Sequence, residues 1–467
     1  MGLNVVVMAA GQGTRMRSAL PKVLHTLGGR HLLQHVLAAA AGLGSARVIV
    51  VTGHGAAEVE RRTSAPPGLS FVRQDPQLGT GHALQQAVPL LDDDGTTLVL
   101  NGDVPLIETG TLERLVAAAG PDRLALLTIA LADAHGYGRI VRGGDGAVRA
   151  IVEEKDATVE QRAIREIYTG VMAAPTRRLK AWLAALRNDN AAGEYYLTDV
   201  VAAAVREGVA VTGIAAGNET EVLGVNSPTQ LADLERRYQR AAAQRLMAAG
   251  VRLADPARFD QRGELACGRD VEIDVGCIFE GRVELGDGVR VGAYCMLKNA
   301  SVAAGATIRP YTHIDGEALG ATVGAGAIVG PFSRLRGGAT LGADVHIGNF
   351  VEIKASTLGT GAKANHLAYI GDGRVGAGAN VGAGTIFCNY DGVEKHFTDV
   401  GAGAFVGSNS SLVAPVKIGD GAYIGSGSVI TRDVEADALA LGRSAQDVRP
   451  GWAARFRRRK QRPRKGP

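Results

Sequence analysis

Aromatic residues are scarce, at 4% of 467 residues. That argues against a wide core built on rings and suits a narrow interior filled by branched aliphatics. Cysteine is also sparse. The 4 cysteines (Cys267, Cys277, Cys295, Cys388) include no CxxC pair, which excludes a disulfide framework. Cys277 and Cys295 lie eighteen residues apart; the spacing permits a bridge, but two buried thiols are expected in a cytosolic chain. No run of eighteen apolar residues is present, so no membrane span is expected. The first apolar run, Val5 to Ala10, has no basic flank and enters a Gly-rich loop, which does not fit a secretory signal. A basic surplus is missing from the body. Net charge is +4, and eight Arg and Lys between Arg455 and Lys465 outweigh it, leaving the rest at −4. Nucleic acid is therefore not an expected partner. The basic tail, 451–467, is expected to be a solvated, disordered end, with an anionic ligand or a membrane surface as the alternative.

What is abundant is glycine, 64 residues, and it falls in a rhythm. Val400, Val406, Leu412, Ile418, Ile424 and Ile430 recur every six residues. So do Val323, Val329, Leu335, Leu341, Ile347 and Ile353. Val375, Val381 and Phe387 form a third run, and Val271, Cys277, Val283, Val289 and Cys295 a weaker early one. A period of six fits neither a helix nor a simple alternating strand. It fits a chain wound as a triangular prism, one short strand per face, with coils of eighteen residues stacked about 4.8 Å apart. Gly and Ala are expected at the tight corners. The pattern resembles a left-handed parallel β-helix of the hexapeptide-repeat acyltransferase type. The repeat alone does not separate a catalytic solenoid from a purely structural one.

The length predicts two or more domains. The first half alternates strands and helices: strands at 3–9, 47–52 and 97–100, helices at 31–43 and 80–91. This indicates a Rossmann-like α/β domain with a parallel sheet and ligands at the strands' carboxyl ends. After the first strand come Gly11-Gln12-Gly13-Thr14-Arg15-Met16 and then Pro21-Lys22. Such a loop offers backbone N–H groups to phosphate oxygens, and Arg15 and Lys22 add positive charge. It is neither a Walker loop nor a GxGxxG fingerprint. Asp103 closes the strand at 97–100, where a carboxylate suits Mg²⁺. A helix is expected over 228–250, with Ser227 as N-cap, Pro228 in the first turn and Gly250 at its end. The predicted division is 1–227 nucleotidyltransferase, 228–250 linker helix, 251–450 β-helix and 451–467 tail. Residues 251–268 are expected to be irregular coils leading into the prism.

With AAGQGTRM…PKVLHTL, QLGTGHA, GDVPL, GYGRI, EYYLTDV, GVN, DPARFD, GRDVEID, GNFVEIK, HLAYIGD and CNYDG, the chain from about 3 to 450 resembles one family. It is that of the bifunctional bacterial N-acetylglucosamine-1-phosphate uridyltransferase / glucosamine-1-phosphate N-acetyltransferases. The resemblance implies uridyl transfer from UTP to N-acetylglucosamine 1-phosphate in the α/β domain. By the same match, Met8, Ala9, Ala10, Gly11, Lys22, Gln74, Gln77, Gly79, Thr80, Asn101, Gly102 and Asp103 bind the nucleotide. Arg15 and Lys22 neutralise phosphates, Asp103 and Asn226 carry Mg²⁺, and Gly138, Glu153, Tyr168 and Asn226 face the sugar phosphate. It further implies acetyl transfer from acetyl-CoA to glucosamine 1-phosphate on the β-helix. His366 is there the base, a role suited to an imidazole near neutral pH. Arg336, Lys354, Tyr369 and Asn380 hold the sugar phosphate. Ala383, Asn389, Tyr390, Ser408, Ser426 and Arg443 match acetyl-CoA positions. Residues 388–399 break the sixes and are expected to protrude. A cytoplasmic homotrimer with active sites between subunits is also implied.

Three departures from the family pattern stand out. Tyr168 replaces an Asn, adding a ring on the sugar side; Asn101 replaces a frequent Tyr; Gly337 replaces a Pro. Two other readings compete: a single-function sugar-phosphate nucleotidyltransferase with a non-catalytic β-helix, and a non-catalytic trimeric scaffold. Lys354, His366 and NYDG argue against the first; failure to release pyrophosphate from UTP, Mg²⁺ and N-acetylglucosamine 1-phosphate would favour the second.

Overall fold

A computed structural model describes residues 2–44, 47–64 and 68–461. Of the basic tail, Arg462, Arg464 and Lys465 lie outside the described residues. The chain forms two compact units. One comprises the chain up to Arg245 with Phe259–Gly263, the other Leu246–Arg258 with the chain from Glu264 onward.

The first unit is built on a mixed sheet. Its strands are β1 (Gly2–Ala9), β2 (Arg47–Thr52), β3 (Leu69–Arg73), β4 (Gly95–Asn101), β5 (Arg123–Ala130), β6 (Arg139–Arg142), β7 (Val148–Val152), β8 (Glu166–Pro175) and β9 (Ala210–Ala215). The main path runs β9-β5-β8-β4-β1-β2-β3. β1 pairs in parallel with β2 and β4. It is buried on both faces: Val6 joins one core cluster, Val5 and Val7 the other. That explains its unbroken apolar run. The expected all-parallel sheet is corrected by β8, which is antiparallel to β4 and β5. The reason is its connection. β6 and β7 form an antiparallel hairpin and β8 pairs back on β6, so no helical crossover forces β8 parallel.

The helix Pro228–Ala248 starts where expected. Ser227 Oγ accepts the Gln230 N–H at 3.2 Å, an N-cap bond. Gly250 then takes φ +97°, a conformation that suits glycine.

The second unit is a parallel β-helix. Every inward hexad residue named above is buried. Register advances by eighteen residues per coil at Val329↔Ile347 and Phe405↔Tyr423. It advances by seventeen at His346↔Lys363 and again at Lys363↔Asn380, which is the slip in the rhythm around His366. Between Asn380 and Phe405 it jumps by twenty-five. The extra residues are the 388–399 segment, where Tyr390, Val393 and Phe397 are exposed.

Three expectations need correction. Residues Phe259–Cys267 are a strand, not irregular coil. Small residues do not fill every corner: Tyr294, Tyr311, Phe332 and Phe350 all hold positive φ along one edge. Their rings stack outward at centroid spacings of 5.4, 5.0 and 5.6 Å. Mutual stacking offsets the cost of left-handed backbone at non-glycine residues. The tail, expected to be disordered, forms a helix at Trp452–Gln461. Cys277 and Cys295 are buried free thiols, as expected. Their Sγ atoms donate to the Gly292 and Arg309 carbonyls, each at 3.1 Å.

Candidate functional site

In the first unit, the loop after β1 turns at Gly13, φ +62°, into a short 3₁₀ turn at Thr14–Met16. A Cβ on Gly13 would lie 2.8 Å from the Lys22 Cβ, so glycine is what lets the loop fold against the second motif. Gln77 Nε2 donates to the Ala10 carbonyl at 2.7 Å. Gln74 Nε2 donates to the Gly79 carbonyl at 2.9 Å. Thr80 Oγ1 accepts the Leu197 N–H at 3.1 Å. These bonds fasten the GQGTRM, QLGTG and EYYLTD segments into one rim. Gly102 N–H donates to the Met8 carbonyl at 2.9 Å, holding the ends of β1 and β4 together.

Lys22 is the meeting point. Its Nζ donates to Asp103 Oδ2 at 2.5 Å and to Asn226 Oδ1 at 3.0 Å. Residues from three distant parts of the chain thus converge on one cation. On one side lies a cavity of about 500 Å³ lined by Ala9, Gly11, Gln74, Gln77 and Lys22. A second, of about 300 Å³, is lined by Arg15, Gly138, Glu153, Tyr168 and Asn226. Met8, Thr80, Asn101 and Asp103 line both. Arg15 therefore lies on the Glu153 side, apart from the rest of its loop.

Burial raises the Glu153 carboxyl above the usual carboxylate range, because a charged group is disfavoured there. Thr198 Oγ1 donates to it at 3.0 Å and opposes that rise. Tyr168 is only 7% exposed, and its hydroxyl is buried without a partner among the described residues. Burial raises its pKa well above the ordinary phenol value. Sequence reasoning missed Thr198, although it stands inside EYYLTDV. It also missed Gln230, whose Oε1 accepts the Asn226 N–H at 2.8 Å.

In the second unit, two corners of the prism carry the polar groups. His366 pairs with Asn349 in the neighbouring coil, and its Nδ1 lies 2.8 Å from Asn349 Oδ1. The following coils continue the column. Gly384 N–H bonds the His366 carbonyl, Asn409 N–H the Ala383 carbonyl, and Gly427 N–H the Ser408 carbonyl. His366, Ala383, Ser408 and Ser426 thus share one edge. Asn380 is on the strand leading into that corner. Arg443 is exposed chain beyond the last strand.

The second corner stacks Arg336, Lys354, Asp372 and Asn389. Arg336 reaches Glu352 at 3.3 Å and Glu317 at 3.4 Å. Lys354 Nζ is 3.5 Å from Asp372 Oδ2, which also accepts the Asn389 amide. Lys395, from the protruding loop, comes alongside Lys354. The Lys354 amine holds Lys395 below the ordinary lysine range, while Lys354 itself is raised by Lys395 and then by Asp372. Arg336, Lys354 and Lys395 make a cationic patch suited to phosphate. Tyr369 lies on the strand between the two corners. The loop is shaped by Asp391, whose Oδ1 accepts the Val393 and Glu394 N–H groups at 2.8 and 2.7 Å. Asn349, Asp372 and Lys395 were not singled out from sequence. Two of the contacts, Asn349–His366 and Asp372–Asn389, span seventeen residues, off the eighteen that the repeat advertises.

Among the described residues, no group of three or more His, Cys, Asp or Glu is poised to hold a metal ion. Among the described residues, no helix is long and apolar enough to cross a membrane.

Residues 5–253 match the MobA-like NTP transferase domain family, and residues 320–355 and 397–432 match the bacterial transferase hexapeptide repeat. The "Bifunctional protein GlmU" of Methylibium petroleiphilum is 65% identical, over 96% of this chain and 98% of that one. The proteins of that name from Polaromonas naphthalenivorans (62%, over 96% or more of each chain) and Paracidovorax citrulli (60%, over 96% and 98%) are similar along the same length. A nucleotide-transferase unit followed by a hexapeptide β-helix, matched end to end at this identity, means that the chain belongs to the GlmU family of bifunctional proteins.

Proposed function

We propose that the chain catalyses two group transfers of UDP-N-acetylglucosamine synthesis: acetyl transfer to glucosamine 1-phosphate in the second unit, then uridyl transfer to the N-acetylated product in the first. The observation that carries the reading is the convergence of Lys22, Asp103 and Asn226 beside a Gly-rich loop. These groups come from motifs 81 and 204 residues apart.

In uridyl transfer, a phosphate oxygen of N-acetylglucosamine 1-phosphate attacks the α-phosphorus of UTP, and pyrophosphate leaves. Such chemistry needs positioning and charge neutralisation. The loop's backbone N–H groups and Lys22 receive the triphosphate, with Gln74, Gln77 and Gly79 on the uridine. Arg15 guides the incoming sugar phosphate, since it lines the Glu153 cavity. Glu153, Gly138 and Tyr168 face the sugar. Asp103 and Asn226 fit Mg²⁺, because their oxygens already converge on a cation, the Lys22 ammonium. One carboxylate plus an amide oxygen suits an ion that keeps water and phosphate ligands. When bound, the ion supplies charge neutralisation on the phosphates.

In acetyl transfer, the amine of glucosamine 1-phosphate attacks the thioester carbonyl. The C–N bond forms, the C–S bond breaks, and the amine proton passes to His366 and on to the departing thiolate. With Asn349 Oδ1 accepting from Nδ1–H, the free lone pair is on Nε2, which is therefore the base. Arg336, Lys354 and Lys395 receive the phosphate. Acetyl-CoA runs along the edge of Ala383, Ser408 and Ser426. Because base and cationic patch occupy different corners of one prism, a homotrimer that brings a second prism alongside completes the site. The co-substrates UTP and acetyl-CoA place the enzyme in the cytoplasm.

The test is paired. With Mg²⁺, UTP and N-acetylglucosamine 1-phosphate, the protein should release pyrophosphate. With acetyl-CoA and glucosamine 1-phosphate, it should release free thiol. Absence of thiol release from a protein that releases pyrophosphate would reduce the β-helix to a scaffold.

A further inference from the structure

Neither reaction as proposed uses the C-terminal helix. Trp452–Gln461 buries none of its residues. It carries Arg455, Arg457, Arg458, Arg459 and Lys460 within ten residues, and Arg462, Arg464 and Lys465 follow in sequence. Among the described residues, no carboxylate lies within ion-pair distance of any of these five side chains. Arg455 and Arg459 repel at i,i+4, as do Arg455 and Arg458 at i,i+3. A ten-residue helix is also below the length, about 12–15 residues, at which isolated helices hold in water. The element therefore calls for an anionic surface that the rest of the chain does not provide.

Its aromatic residues indicate which one. Trp452 and Phe456 are one turn apart, 52% and 45% exposed, and stacked at 5.1 Å. Lys460 Nζ lies 5.9 Å over the Phe456 ring. Ring faces used in this way are poor platforms for a nucleic-acid base. The pair instead forms a compact apolar wedge flanked by cations, and Val448 just before it is exposed as well. Aromatic wedge plus basic cluster is the two-part signal that suits a bilayer interface: rings at headgroup level, cations on anionic lipid. We propose that Trp452–Gln461 is a docking helix for bilayers rich in anionic phospholipid, giving the enzyme a salt-sensitive peripheral attachment.

The experiment is co-sedimentation of the full-length protein with vesicles of phosphatidylcholine alone or mixed with phosphatidylglycerol. Binding is expected only to the anionic vesicles and is lost in high salt. Reversing Arg457, Arg458 and Arg459 to Glu should weaken it by at least about 100-fold, given the contribution of about 1 kcal/mol from each basic residue at such a surface. Trp452→Ala with Phe456→Ala should weaken it while leaving the salt dependence in place. All these side chains are exposed, so pyrophosphate and thiol release should match the wild type and report an intact fold. Equal binding to neutral vesicles, unchanged binding of the charge-reversed variant, or displacement from vesicles by single-stranded RNA would each overturn the proposal.

Discussion

Asn349→Ala isolates the geometry on which acetyl transfer depends. The side chain does one visible thing: its Oδ1 lies 2.8 Å from His366 Nδ1. Removing it frees the imidazole to rotate and to exchange tautomers, while His366 itself remains. If the bond is as strong in the transition state as in the resting enzyme, its loss leaves the rate unchanged. As His366 takes the amine proton it becomes a cation, and hydrogen bonds to charged groups are worth about 1.5–3 kcal/mol against about 0.5–1.5 for neutral pairs. The difference, about 1–1.5 kcal/mol, corresponds to a fall in kcat of roughly 5- to 13-fold. The assay is thiol release, with pyrophosphate release as the control. Thiol-release kcat should drop, and uridyl transfer should be untouched. Unchanged acetyl transfer, or equal loss of both activities, would refute the orienting role.

Glu153→Gln tests the sugar side through pH. Burial raises the folded pKa of Glu153, so the native state favours its proton. Its carboxylate therefore destabilises the unit above the folded pKa, and that penalty is gone below the unfolded pKa. As an acceptor for sugar hydroxyls it is lost as pH falls, starting above the usual carboxylate range. KM for N-acetylglucosamine 1-phosphate should rise on that acid limb in the wild type and stay flat in the Gln variant. Tyr168→Phe removes a hydroxyl that has no partner in the free protein. Thermal stability should hold or increase, while KM for the sugar phosphate rises about 2- to 10-fold if the phenol bonds the sugar; lowered stability would show that the hydroxyl has a structural partner. Ile353→Ala opens a void in a fully buried column and should destabilise the second unit by about 2–5 kcal/mol, read as earlier thermal loss of thiol release than of pyrophosphate release.

The prism was legible because its interior repeats: runs of buried, mostly aliphatic residues at every sixth position, such as Val323 to Ile353 and Val400 to Ile430, state both period and inward face. The nucleotide loop was legible because Gly13 and Lys22 are close in sequence and must fold together. What the sequence hid depends on contacts that no local pattern encodes. Asn349 meets His366 only because that coil is one residue short. Lys395 meets Lys354 only because the protruding loop folds back. β8 runs antiparallel because of a hairpin whose pairing is set in three dimensions. The aromatic edge was missed because positive φ was expected of glycine, whereas Tyr311 and Phe332 adopt it with rings stacked in solvent.

The central claim is two separate active sites on one chain. Its most direct measurement is pyrophosphate and thiol release from the same preparations of wild type, Asp103→Ala and His366→Ala. Asp103→Ala should abolish pyrophosphate release and leave thiol release intact, and His366→Ala should do the reverse. Loss of both activities in either well-folded variant, or thiol release by His366→Ala at the wild-type rate, would contradict the account.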